Sequence, residues 1–176
     1  METYEFTIIA TGIDPRAEDF EARFYAAGCD DALVSFQKGH VLVDFAREAG
    51  SMAEAIASAV GDVRRTQAIV ERVEPDPLVS LSDMAARSEL SRSAMTNYFK
   101  GHRGAGFPAP KARVTTDSPL WDWSDVSVWL FRQGRVPRDV AVSATAVSAA
   151  NDLIDCGARN FRDALHRTVE ERVASF

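Results

Sequence analysis

The apolar residues of the first 75 positions change their period repeatedly, and that alternation limits the folds open to the chain. Tyr4 to Thr11 alternates and is rich in β-branched residues, as a half-buried strand requires, and Gly12 with Asp14-Pro15 ends it. Between Ala17 and Ala27 the spacing lengthens: Phe20, Phe24 and Ala27 recur at helical intervals, and Gly28 stops the helix as a C-terminal cap would. Ala32 to Phe36 and His40 to Phe45 return to the strand period, joined by the short connection Gln37-Lys38-Gly39. Ser51 to Val63 is a second helix, with Met52, Ile56 and Val60 on one stripe and Ser51 and Glu54 spaced as a capping box. Ala68 to Val73 is a last strand, so the order is βαββαβ.

That order is the split motif of a ferredoxin-like sandwich, expected over residues 1–75, and Glu74-Pro75-Asp76-Pro77 makes a stiff linker after it. Lys38 to Phe45 is similar to the third-strand signature of RNA-recognition motifs, which has a basic residue, a glycine and a terminal aromatic. The positions that would stack on bases hold His40 and Leu42, with Thr7 on the first strand, so the stacking chemistry is missing. Met1 to Pro77 also carries 7 Lys/Arg against 15 Asp/Glu, a net −8, which opposes RNA. A fold of this kind hosts many functions, and a protein or a small molecule remains the alternative partner of such an acidic unit.

Charge changes sign beyond the linker. Leu78 to Arg138 holds 9 Lys/Arg against 5 Asp/Glu, or +4, and Asp139 to Phe176 holds 4 against 6, or −2. The middle is thus the one basic stretch of a chain whose net charge is −6. Within it, the run from Leu81 to Gly101 has the spacing of two tightly crossed helices. Met84 and Leu90 supply the first helix and the turn, and Met95, Tyr98 and Phe99 recur at i, i+3 and i+4 on the second. Ala85 is small where the helices approach, and Ser91 is a good N-cap. With Met95, Tyr98 and Phe99 inward, Arg92, Ser93, Thr96, Asn97 and Lys100 face outward. That set suits a major groove, where Arg pairs with guanine and Asn with adenine while Ser, Thr and Lys bond to bases or phosphates.

The segment from Leu78 to Gln133 resembles the MerR-like winged helix-turn-helix domains of phage excisionases and AlpA-type prophage regulators. The likeness lies in the helix pair, in Phe107-Pro108-Ala109-Pro110 leading into a wing, and in Asp125-Val126-Ser127-Val128-Trp129-Leu130 closing it. Glu89 departs from the pattern, because repressors of this type usually have glycine at that turn. The resemblance implies a winged helix-turn-helix over 78–134 that reads double-stranded DNA and regulates transcription, as a repressor able to control its own gene. Ser91 would open the recognition helix, His102 and Arg103 would contact the backbone beyond it, and Lys111, Arg113 and Thr115 would reach phosphates or the minor groove from the wing. Trp121 and Trp123 alternate and share a strand face, Ser124 caps the next helix, and Val126, Trp129 and Leu130 form its apolar stripe. The three tryptophans read as core.

Pro137 suits the first turn of a helix from Val140 to Ile154, Gly157 ends it, and a further helix runs from about Arg159 to Ala174 with Phe161, Leu165 and Val169 on one side. This pair, 137–176, either covers the other domains or forms a dimer interface, and a homodimer would suit paired half-sites. The expected class is therefore α+β: a ferredoxin-like sandwich, a winged helix-turn-helix and a C-terminal helical pair. An antitoxin-like or phage-type regulator whose acidic domain binds a partner has the same layout. Catalysis is not expected, because His40, His102 and His166 lie in separate segments without motif context. Cys29 and Cys156 stand alone, so neither a metal nor another cofactor is implied. Without a signal-like N-terminus or a run of ~18 apolar residues, the expected location is the cytoplasm, on the nucleoid when DNA is bound, and not a membrane.

Overall fold

The computed structural model describes residues 1–176 and is an α+β structure with seven α-helices and a four-stranded antiparallel sheet. No helix is long and apolar enough to cross a membrane. The chain groups into two units: Met1–Pro75 with Ala149–Glu171, and Asp76–Ser148 with Arg172–Phe176. The C-terminal helices are accordingly shared between the units.

The first unit follows the order β1 (Glu2–Thr11), α1 (Phe20–Ala26), β2 (Ala32–Gln37), β3 (His40–Ala49), α2 (Met52–Arg65) and β4 (Ile69–Glu74). The strands lie side by side as β2-β3-β1-β4. Register follows from the two-residue period. Phe6 pairs with Phe45, Ile8 with Val43 and Ala10 with Val41, and all six are buried on the same face. Helix α2 packs on β1, β3 and β4 and contributes the buried Ile56, Val60 and Val63. Lys38 and Gly39, with φ of 51° and 83°, form the two-residue hairpin turn between β2 and β3. At the end of α1, Gly28 takes φ 99°, and the N–H groups of Gly28 and Cys29 return to the carbonyls of Tyr25 and Phe24.

Two local expectations are corrected. Helix α1 starts at Phe20 rather than Ala17, because Asp14 draws the chain into turns by accepting from the N–H groups of Arg16 and Ala17. Ser51 caps α2 by accepting from the Glu54 N–H, but the Glu54 carboxylate reaches the N–H of Gly50 instead of completing a box with Ser51.

Beneath the sheet lies a charged cluster. Arg47 on β3 is buried and donates to both oxygens of Asp31, to Asp62, to the Ser58 hydroxyl and to the Gly28 carbonyl, with the Phe45 ring 4.6 Å from its Cζ. Burial opposes its charge, and the bonds it donates to Asp31 and Asp62 more than offset that, so the guanidinium stays protonated more firmly than usual. Burial also pushes the neighbouring Cys29 thiol up to about 11, with Asp62 adding to the effect, which leaves it a neutral core group.

The C-terminal helices are α6 (Arg138–Asp155) and α7 (Phe161–Val173). From α6, Asn151 donates to the Val73 carbonyl and accepts from the Val73 N–H, so a side-chain amide occupies the outer edge of β4 where a fifth strand would pair. Phe161, Leu165 and Val169 of α7 are buried, and the Arg64 guanidinium lies over the Phe161 ring. Replacing Arg47 would strand two carboxylates in a poorly solvated site. Arg47→Met is expected to cost ~3–5 kcal/mol, measured as the shift in urea unfolding followed by far-UV circular dichroism, and a loss under ~1 kcal/mol would show the cluster to be dispensable.

Candidate nucleic-acid interface

The second unit is built around a short helix pair and three tryptophans. After β5 (Leu78–Val79) comes α3 (Leu81–Ser88), started by a complete capping box: Ser80 accepts from the Asp83 N–H while the Asp83 carboxylate accepts from the Ser80 N–H and hydroxyl. Those bonds hold the Asp83 carboxyl below the usual carboxylate range. Glu89 then adopts a left-handed conformation, φ 56° and ψ 22°, and the Leu90 N–H turns back to the Ala85 carbonyl. Three residues after α3 ends, Ser91 caps α4 (Arg92–Phe99) by accepting from the Ala94 N–H.

Helix α4 buries Met95 and Tyr98 against Val79, Met84, Trp121, Trp123, Val126, Trp129 and Leu130. At 100° per residue these two define the inner side; Ser93, Thr96, Asn97 and Lys100 fall on the opposite arc, and Arg92 lies on its flank, roughly 90° from the inner direction. Arg92, Ser93, Asn97 and Lys100 are exposed and Thr96 is half-buried. The Thr96 hydroxyl donates to the Arg92 carbonyl, so it presents its oxygen as an acceptor. Phe99 departs from expectation, being 42% exposed while its ring meets Trp121 edge-on at 5.0 Å. Gly101, φ 71°, closes the helix: its own N–H and that of His102 return to Tyr98 and Asn97, which sets exposed His102 and Arg103 just past the end of α4.

The stretch that follows has no ladder and is held by indoles. Trp129 donates through Nε1 to the Ala105 carbonyl at 3.0 Å, and Trp121 donates to the Pro108 carbonyl at 3.1 Å. Phe107 lies edge-on to both rings, at 6.4 Å from Trp121 and 5.1 Å from Trp129. Gly104 passes so close to Trp129 that a Cβ there would stand 2.8 Å from the ring. Ala112 and Leu120 form a single antiparallel bridge at the base of a loop over 113–119, and β6 (Trp121–Asp122) pairs with β5.

Arg113 and Thr115 are exposed on this loop, and Arg113 has φ 53°. Lys111 lies 3.3 Å from the Asp125 carboxylate, so part of its charge is already matched within the chain. All three tryptophans are buried. Trp123, expected on the same strand as Trp121, instead begins α5 (Trp123–Arg132), and the cap is Asp122, not Ser124, because the Asp122 carboxylate accepts from the Ser124 N–H at 2.7 Å. Burial raises the Asp122 carboxyl above its ordinary value, with the Ser124 N–H opposing that shift. The Ser80–Asp83 box is not among the expected caps, although its S-x-x-D spacing before an apolar run marks it in the sequence, and no spacing marks the indole anchors.

No group of three or more His, Cys, Asp or Glu side chains is placed to hold a metal ion. What the arrangement offers is a polar and basic helix face on a rigid aromatic base. Comparison with known protein families, with curated proteins and with solved structures found no match.

Glu89 is a residue with a Cβ in a conformation glycine adopts freely. Glu89→Gly is expected to raise stability by ~1 kcal/mol, read by tryptophan fluorescence in urea because all three tryptophans lie in this unit, and Glu89→Val to lower it. Destabilisation by the glycine would show that the Glu89 side chain itself contributes.

Proposed function

We propose that this protein is a sequence-specific double-stranded DNA-binding regulator of transcription, a repressor able to act on its own gene. In this reading α3 and α4 form the helix-turn-helix, α4 is the recognition helix in the major groove, and the loop over 113–119 is a short wing of the MerR-like kind. The first unit is a ferredoxin-like module, and the protein works as a homodimer.

The observation that carries the reading is the division of α4 into a buried side, Met95 and Tyr98, and an outward arc of Ser93, Thr96, Asn97 and Lys100, flanked by Arg92, that lacks any acidic residue. Short helices of eight residues are marginal alone, so this one owes its order to the aromatic base beneath it. A helix held that way presents donors and acceptors without ordering cost when it enters a groove. Arg92 and Asn97 have side chains able to make bidentate contacts with guanine and adenine, whereas Lys100, Arg103 and Arg113 suit phosphates.

The two classes of contact separate experimentally. On the duplex that the protein selects from a random pool, Asn97→Ala is expected to lose ~1–3 kcal/mol while binding to unselected DNA stays nearly unchanged. Lys100→Ala should weaken both and lower the slope of log K against log salt by about 1. An Asn97→Ala loss of equal size on unselected DNA would contradict the base-reading role.

A further inference from the structure

The two edges of the four-stranded sheet are treated differently. The outer edge of β4 is occupied by the Asn151 amide, whereas β2 ends the sheet on the other side with no element beyond it. Proteins normally block such an edge with lysine, proline, a bulge or an inward charge. The strand Ala32-Leu33-Val34-Ser35-Phe36-Gln37 has none of these and pairs with β3 in unbroken register, in a segment of chain that is otherwise strongly acidic. Of the large apolar side chains exposed in the first unit, three flank this edge: Tyr25 at 71%, Leu33 at 70% and Phe36 at 47%.

The hydrogen-bond pattern says which backbone groups are free. Ala46 donates to the Asp31 carbonyl, so in the alternating antiparallel pattern Leu33, Ser35 and Gln37 bond to β3 while Ala32, Val34 and Phe36 point outward. The Ala32 N–H bonds locally to the Cys29 carbonyl, which leaves the N–H and C=O of Val34, the N–H of Phe36 and the C=O of Ala32 as the groups best placed to pair.

We propose that a second copy of this chain pairs with β2 in antiparallel fashion about a two-fold axis at Val34, joining two four-stranded sheets into one of eight. A two-fold axis perpendicular to the sheet keeps each face on its own side, so residues pair when their numbers sum to 68. Val34 then exchanges both bonds with its counterpart, and each Phe36 N–H meets the Ala32 carbonyl across the axis. On the helix side, Phe36 of one copy comes to rest over Ala32 of the other, next to a groove of about 370 Å³ lined in part by Ala22, Tyr25 and Val34. Just beyond the paired strand, the same register brings Asp30, in the turn before β2, towards Lys38 of the other copy, in the hairpin turn after it. Both are exposed, and neither forms an ion pair within its own chain. A charge match at the ends of an uncharged strand favours a second copy over an unrelated peptide.

This pairing does not depend on the DNA-binding reading, and it is tested without DNA by sedimentation velocity of the full chain. The expected species has twice the 19.3 kDa chain mass. Val34→Pro removes an outward N–H that β3 does not use, so the sheet should persist by circular dichroism while the dimer dissociates. Should the proline disturb folding, the exposed charges decide: Asp30→Lys or Lys38→Asp alone should raise the dimer dissociation constant roughly tenfold, and the two together should restore it. A monomer at all concentrations would overturn the proposal. So would a dimer indifferent to the charge reversals, or one that persists in folded Val34→Pro.

Discussion

Two indole N–H groups hold the part of the second unit that has no regular hydrogen-bond ladder. From Gly101 to Pro110 the chain contains three glycines and two prolines, and such a run has little conformational preference that would fix it in one path. Trp129 and Trp121 fix it at Ala105 and Pro108, and their rings simultaneously form the base on which Tyr98, Phe99 and Phe107 rest edge-on. One pair of residues therefore sets both the loop and the height at which α4 stands. Edge-to-face contacts of this kind contribute ~0.5–1.5 kcal/mol each beyond the area they bury, and buried indole N–H groups require partners, so packing and polar satisfaction select the same geometry.

The first unit is stabilised by a different logic. Its inner sheet face is apolar and repetitive, with Phe6 stacked on Phe45 at 5.3 Å between centroids, but at one end that same face admits an arginine among acids. Arg47 lies where the strand period calls for a core residue, and five donated bonds let the chain bury it. The interaction ties β3 to α2 through Ser58 and Asp62 and to the α1–β2 connection through Gly28 and Asp31.

Most elements of the first unit were legible because burial there follows period: an alternating Phe6, Ile8, Ala10 and a helical Met52, Ile56, Val60 each identify an inner face. Legibility failed where a tertiary partner replaced the local signal. Strand β3 runs on to Ala49, past the expected end at Phe45, since the next inward residue is Arg47 and only its distant partners make that position a core one. Strand β5 is two residues long and exists through pairing with β6, some forty residues away, so no period marks it. Trp123 begins a helix because Asp122 takes over the capping, a competition between neighbouring Asx and Ser caps that sequence alone leaves open. At the candidate interface the outward arc of α4 followed directly from the positions of Met95 and Tyr98. Phe99 did not, because its ring finds Trp121 from a half-exposed position.

The central claim, that the face of α4 reads duplex DNA, is tested most directly by binding of the full chain to its own upstream region and to random DNA of equal length over a range of salt. The account predicts a preference of ~10³ or more for the upstream fragment, with affinity for both falling as salt rises. Equal affinity for the two fragments at every salt concentration, or no binding to either, would contradict it.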